Sequence, residues 1–172
     1  NLSGLPNSIR VFSHTQFGLS FTVVTYNRQP WLHEPLSVKT LGEVMRHVRA
    51  QRPFENLAMV LMPDHLHAIW RLPPDDADFS TRWMLIKQGV VHRLRGRMGV
   101  QALWQGRFWE HTLRDERDVE QHMHDIHYNP VKHGHVQHVR DWPHSTFHRY
   151  VKNGVYPTDW GSAPGPLPGI RE

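Results

Sequence analysis

The sequence predicts an α+β fold, one antiparallel sheet with helices over one face. Three observations carry this reading. Runs of β-branched, aromatic or apolar residues occupy 19–28, 57–63 and 65–72, and apolar residues recur at helical spacing from Ser37 and again from Ser80. Only Pro63-Asp64 separates two of the runs, which is the spacing of a hairpin. The order is then strand, helix, strand, strand, helix, strand, with one more helix after it, which is the split βαβ or ferredoxin-like plan.

The elements follow in order. LSFTVVTYNR, residues 19–28, is rich in β-branched and aromatic side chains and closes on a polar turn, a first strand. Val38, Leu41, Val44, Met45 and Val48 then lie on one face of a helix flanked by Arg46, His47 and Arg49, and Arg52-Pro53 breaks it. LAMVLMP, 57–63, suits a central strand. In HLHAIWRL, 65–72, His65, His67, Ile69 and Arg71 share one face and Leu66, Ala68, Trp70 and Leu72 the other, so this strand is expected to bury one face. LPPDDADFS, 72–80, is a loop whose Ser80 caps a second helix buried through Trp83, Ile86, Val90 and Leu94 and ending in RLRGRMG, 93–99. LWQGRFWEHTL, 103–113, contains the fourth strand. After Asp115 the last helix buries Val119, Met123 and Ile126, and Asn129-Pro130 is expected to end or kink it. Residues 1–160 form one domain, with a core at about 17–135, an ordered aromatic extension at about 136–160 and a flexible tail at 161–172.

Composition narrows the function classes. A chain of 172 residues, 38% hydrophobic, builds one domain with a real core. The 20 Lys+Arg against 16 Asp+Glu give a formal net charge of +4, which favours a polyanionic partner. Absence of Cys excludes disulfides, thiolate metal sites and cysteine nucleophiles. No apolar run approaches the roughly 18 residues of a membrane span, and the expected location is the cytoplasm.

Three clusters can carry chemistry. His65 and His67, spaced i, i+2 on a strand, project from one face within reach of one divalent ion. On the last helix His122, Asp125 and Asn129 share a face, where a carboxylate and an amide complete a hard-metal site or simply face solvent, and His124 and Tyr128 form a neighbouring pair. Arg93, Arg95, Arg97, Trp104, Arg107, Phe108 and Trp109 interleave cations with aromatics, a mix suited to phosphate contacts and base stacking, or to an ordinary basic helix end before a buried strand. Lys132 and His133 beside Gly134 fit a helix C-terminus.

The stretches RPFEN (52–56), MPDHLHAIWRLP (62–73), DFSTRWMLIK (78–87), LWQGRFWEHTLRD (103–115), YNPVKHG (128–134) and DWPHSTFHRYV (141–151) resemble, in this order, the REP-associated tyrosine transposases, relatives of the IS200/IS605 single-strand transposases within the HUH endonucleases. The resemblance implies a ferredoxin-like core, Mg²⁺ or Mn²⁺ held by His65 and His67 with Asn129 as third ligand, and recognition of single-stranded REP hairpins. Arg93, Arg95, Arg97, Trp104, Arg107 and Lys132 are the candidate DNA contacts. It further implies DNA cleavage by a tyrosine that leaves a 5′-phosphotyrosine link and a free 3′-OH, and strand transfer by reversal. REP-associated relatives imply a monomer and insertion-sequence cousins a dimer.

One position departs from the pattern. The nucleophilic tyrosine stands four residues before the Asn of NPVKHG, and here that residue is Asp125. Three readings follow: cleavage by a displaced Tyr128, hairpin binding without covalent cleavage, or hydrolysis with Asp125 as a metal ligand.

Overall fold

The structure is a computed structural model that describes residues 17–99 and 102–162. Strands β1 (Gly18–Val24), β2 (Glu55–Leu61), β3 (His65–Arg71) and β4 (Trp109–Leu113) form one sheet in the order β2-β3-β1-β4, with every neighbouring pair antiparallel. Helix α1 (Pro35–Gln51) joins β1 to β2 and α2 (Phe79–Met98) joins β3 to β4, and both pack on one face. That is the ferredoxin-like order expected from the sequence.

Each crossover helix buries the stripe its periodicity marks. Leu41, Val44 and Val48 of α1 and Trp83, Ile86, Val90 and Leu94 of α2 join Phe21, Val23, Leu66, Ala68 and Trp70 in one cluster. The two helices approach closely at Gly89, where a Cβ would lie 2.7 Å from Val44 Cγ1, so only glycine fits without repacking.

Helix α3 (Glu116–Lys132) lies on the other face, over β2 and β3, and is capped by Asp115. Behind it a 3₁₀ turn (Val139–Asp141) and the short helix α4 (Phe147–Lys152) zip onto the outer edge of β2. Leu61 N–H donates to the His144 carbonyl and Thr146 N–H to the Met59 carbonyl, each at 2.9 Å, while Trp142 Nε1–H donates to the Leu61 carbonyl at 2.9 Å. An edge strand that would otherwise offer free backbone groups is thereby covered. Gly161, at φ +74°, lies close against the 3₁₀ turn, since a Cβ there would meet Val139 Cγ2 at 2.6 Å.

Several expectations shift. β1 stops at Val24 because Thr25 turns the chain, both its N–H and its hydroxyl donating to the Asp64 carbonyl at 2.9 Å; Tyr26–Arg28 is a 3₁₀ turn. The α2 cap is Asp78, which accepts from Thr81 N–H at 3.1 Å, two residues before Ser80. Pro130 sits inside α3, which continues to Lys132, because a proline in the last turn costs one backbone bond. β3 is covered on both faces, with His65 and Arg71 each 8% exposed, because α3 and the extension take the side that the crossover helices leave, where a ligand or the helix after Asp115 is expected. Gly161 and Ser162 belong to the packed extension, and the rest of the expected tail lies outside the described residues. No helix among the described residues is long and apolar enough to cross a membrane.

Candidate metal and nucleic-acid site

The antiparallel register sets His65 opposite Val24 and His67 opposite Thr22, so the imidazoles emerge on the α3 side of the sheet. Their ring centroids are 4.8 Å apart at 80°. Each ring is held through Nδ1. His65 Nδ1 donates to Asp64 Oδ1 at 2.6 Å, and His67 Nδ1 pairs with Thr22 Oγ1 at 2.9 Å. Nε2 of each ring is left for another partner, which is how metal-binding histidines are oriented. Asp64 is itself anchored, its Oδ2 accepting from Arg28 Nη1 at 3.2 Å. Although partial burial pushes the Asp64 carboxyl up, its bonds to His65 and Arg28 hold it below the usual carboxylate range.

Charge completes the picture. Burial, then the neighbouring His65, His133 and Lys132, push the His67 pKa down to about 3. A neutral imidazole is the form that binds metal. His133, just past the end of α3, brings its ring to 5.6 Å from His65. One turn earlier on the same helix stands Asn129, whose Oδ1 is buried without a hydrogen-bond partner. An orphaned amide oxygen is a donor suited to a hard divalent cation, as are two neutral imidazole nitrogens. The residues His65, His67 and Asn129 therefore fit the ion that the sequence pattern implies.

Helix α3 sorts the remaining candidates by face. Asp125 is half-buried; burial raises its pKa, opposed by His122, Lys132 and His124. His124 and Tyr128 point the other way: the His124 ring lies 5.3 Å from Trp160, and Tyr128 Cδ2 would be 3.4 Å from a Cβ on Gly161. The tyrosine of this helix is thus packed against the extension. Of the four tyrosines, Tyr150 and Tyr156 are 2% and 9% exposed, while Tyr26 is 43% exposed, beside the Arg28–Asp64 pair.

The basic and aromatic candidates separate too. Lys132 is exposed at the histidine end of α3, and Arg95, Arg97 and Arg107 are exposed. Arg93 instead pairs with Glu43 of α1 at 2.9 Å, on the layer beyond the sheet. Trp104 is 9% exposed and packs edge-on against Trp31 at 5.0 Å, so it is a core residue with no open face for a base. The exposed indole is Trp109, at 56%. Sequence reasoning missed Asp64, Thr22 and His133. The Asp64 signal was its place directly before His65; Thr22 needed the strand register.

Residues 13–114 match the family described as "Transposase IS200 like". A REP-associated tyrosine transposase of Escherichia coli (strain K12) is 46% identical over 144 residues, covering 81% of this chain and 82% of that protein. The chain belongs to the REP-associated tyrosine transposases, within the IS200-like family. A Haemophilus influenzae relative is 42% identical over 122 residues, covering 65% of this chain and 69% of its own. A solved REP-associated tyrosine transposase bound to a REP hairpin superposes with a TM-score of 0.76 at 39% identity, covering 94% of this chain and 95% of that one. Within this family the placement of Asp125 on α3 is the feature that calls for explanation.

Proposed function

We propose that the protein is a transposase-like enzyme of the HUH type that binds single-stranded REP-like hairpin DNA and cleaves and transfers it through a tyrosine, with Mg²⁺ or Mn²⁺ at His65, His67 and Asn129. On this reading it acts as a monomer at the bacterial nucleoid. The observation that supports it most is the histidine pair, with Nδ1 of each ring engaged by Asp64 or Thr22 and Nε2 of each left over. The bound ion supplies a Lewis acid for charge developing on a phosphate oxygen. Asp64 and Thr22 fix the ring orientations, and Lys132, with Arg95, Arg97 and Arg107, offers cations to the phosphate backbone.

The attacking oxygen is the open step. A phenol attacking phosphorus gives a phosphotyrosine and releases the 3′-OH, a link stable enough to be reversed for strand transfer. At the family position this chain has a carboxyl, whose mixed anhydride with phosphate hydrolyses readily. Tyr128 is the substitute on α3, and it reaches a phosphate only if the helix turns from its contact with the extension. That contact favours a second reading, hairpin binding without a lasting covalent link. In a third, Asp125 joins the two histidines as ligand and water is the attacking group, giving hydrolysis without religation.

One assay separates these readings. The protein is incubated with labelled single-stranded REP hairpin DNA and Mn²⁺ and resolved on denaturing gels. A protein–DNA adduct absent in Tyr128→Phe supports tyrosine transfer through that residue, and loss in Tyr26→Phe moves the role to Tyr26. Binding without cleavage supports the second reading; cleavage without adduct, lost in Asp125→Ala, supports the third. Equal affinity for hairpin and random duplex would remove the proposed partner.

A further inference from the structure

A second cluster of ligand-type side chains lies on the same sheet face. His111 pairs with Ser20 and His67 with Thr22, so both histidines face α3, with β1 between them. Strand spacing and rise put their backbones about 12 Å apart. The start of α3 comes down on His111. Asp118 and His122, one turn apart, reach it so that one ligand atom from each of His111, Asp118 and His122 lies within 4.8 Å of the other two. Among the described residues this is the one such group of histidines and carboxylates.

The cluster is held in place. Asp118 is 8% exposed; its Oδ2 accepts from Arg114 N–H at 2.9 Å and lies 3.4 Å from Arg114 Nε, and its N–H donates to Asp115 Oδ1 at 2.8 Å. Oδ1 is left turned toward His122, 3.2 Å from Nδ1. His122 Nδ1 also lies 2.8 Å from the Asp118 carbonyl, and Nε2 is the ring's other nitrogen, the one that would take the ion. The two imidazoles stack at 5.4 Å and 20°, and the exposed Trp109 ring stacks on His111 at 5.7 Å and 13°.

We propose that His111, Asp118 and His122 form a second divalent-metal site, separate from His65 and His67, that clamps edge strand β4 to the start of α3. Two imidazoles and one carboxylate suit a borderline transition ion such as Zn²⁺ or Co²⁺ better than Mg²⁺. Three protein ligands leave a coordination position for water. Such an ion would take the two nitrogens and the oxygen at about 2.0–2.2 Å.

The test reads stoichiometry rather than DNA cleavage, so it does not depend on the role of His65 and His67. The full chain carrying His65→Ala and His67→Ala is stripped with chelator and titrated with Co²⁺, following bound metal by equilibrium dialysis and the visible d–d absorption. The double variant is expected to keep one equivalent, and addition of His111→Ala to weaken that binding at least tenfold while the far-ultraviolet circular dichroism is unchanged. Should that triple variant lose its fold, His122→Gln in the same background is expected to give the same loss. Zn²⁺ is expected to raise the melting temperature of the double variant and not of a folded triple variant. Absence of Co²⁺ binding in the double variant, or binding unchanged by a folded His111→Ala or His122→Gln variant, overturns the proposal.

Discussion

On the face of the sheet under α1 and α2, the Trp70 ring lies 4.2 Å from Trp83 at 11°, 4.1 Å from Phe54 and 5.0 Å from Phe21. One residue away along the same strand, on the face under α3, Ile69 is fully buried, and three residues from Trp70 His67 bonds Thr22. The first face is closed throughout. Even its charged member, Arg82, is 2% exposed and fully engaged, by Asp76 and by the carbonyls of Arg52, Pro53 and Asp78. The second face is divided. Over β2 the extension and α3 seal an apolar cluster, whereas over β1 and β4 the imidazoles and Trp109 keep access to solvent. The contrast shows how a small domain separates its tasks: packing on one side holds the strands, so the other can carry partly exposed, polar side chains without losing the fold.

The sharpest way to break that contrast is to empty the packed side. Trp83→Ala is expected to cost about 3–5 kcal/mol of stability, read from urea unfolding midpoints. Trp83→Phe is expected to cost less, since the Trp83 Nε1–H has no partner to lose. Neither change is expected to alter hairpin affinity of the folded fraction. Next in size, Arg82→Met strands Asp76 and takes the guanidinium donors from three carbonyls, a loss of roughly 3 kcal/mol. It also carries a pH signature. The bonds from Arg82 and the Asp78 N–H hold the Asp76 carboxyl below its ordinary 3.8, so their contribution is complete above that value and is lost as pH falls below it. Acid titration of stability should therefore be shallower in Arg82→Met than in the parent.

How much of this was legible in the sequence can be judged residue by residue. The alternation in HLHAIWRL assigned Trp70 to one face and His67 to the other correctly, because a strand has period two whatever its neighbours. That the helix after Asp115 covers the His65 side was one of the two expectations, the other being a ligand; the share taken by residues 139–161 was not foreseen, because their docking on β2 depends on long-range contacts such as Trp142 to Leu61. Trp104 and Trp109 were indistinguishable as sequence. Only the start of β4 at Trp109, with Trp104 bridged to Thr25 ahead of it, decides which indole is core and which is exposed. The helical spacing of His122, Asp125 and Asn129 was readable, and so was the pairing of His124 with Tyr128, but not that this pair packs against the extension. The cluster of His111 with Asp118 and His122 was not, since it joins a strand to a helix.

The smallest predicted effects lie on the histidine side and sharpen the comparison most. Asp64→Asn keeps size but weakens the acceptor for His65 Nδ1–H, and is expected to lower Mn²⁺ affinity about 10- to 100-fold. Its exposed bond to Arg28, a residue 67% exposed, adds little to stability. Thr22→Val is gentler still. It removes one hydroxyl beside His67 Nδ1 while keeping the shape and improving the strand preference. One lost hydrogen bond is worth about 1 kcal/mol, or roughly fivefold in Mn²⁺ affinity. Because β1 is held by β3 and β4 on its two sides and by Phe21 and Val23 on the packed face, the unfolding midpoint should stay where it was. A Thr22→Val variant that lost as much stability as Trp83→Ala, with Mn²⁺ binding unchanged, would mean that this hydroxyl belongs to the packing and that the division between the two faces is drawn in the wrong place.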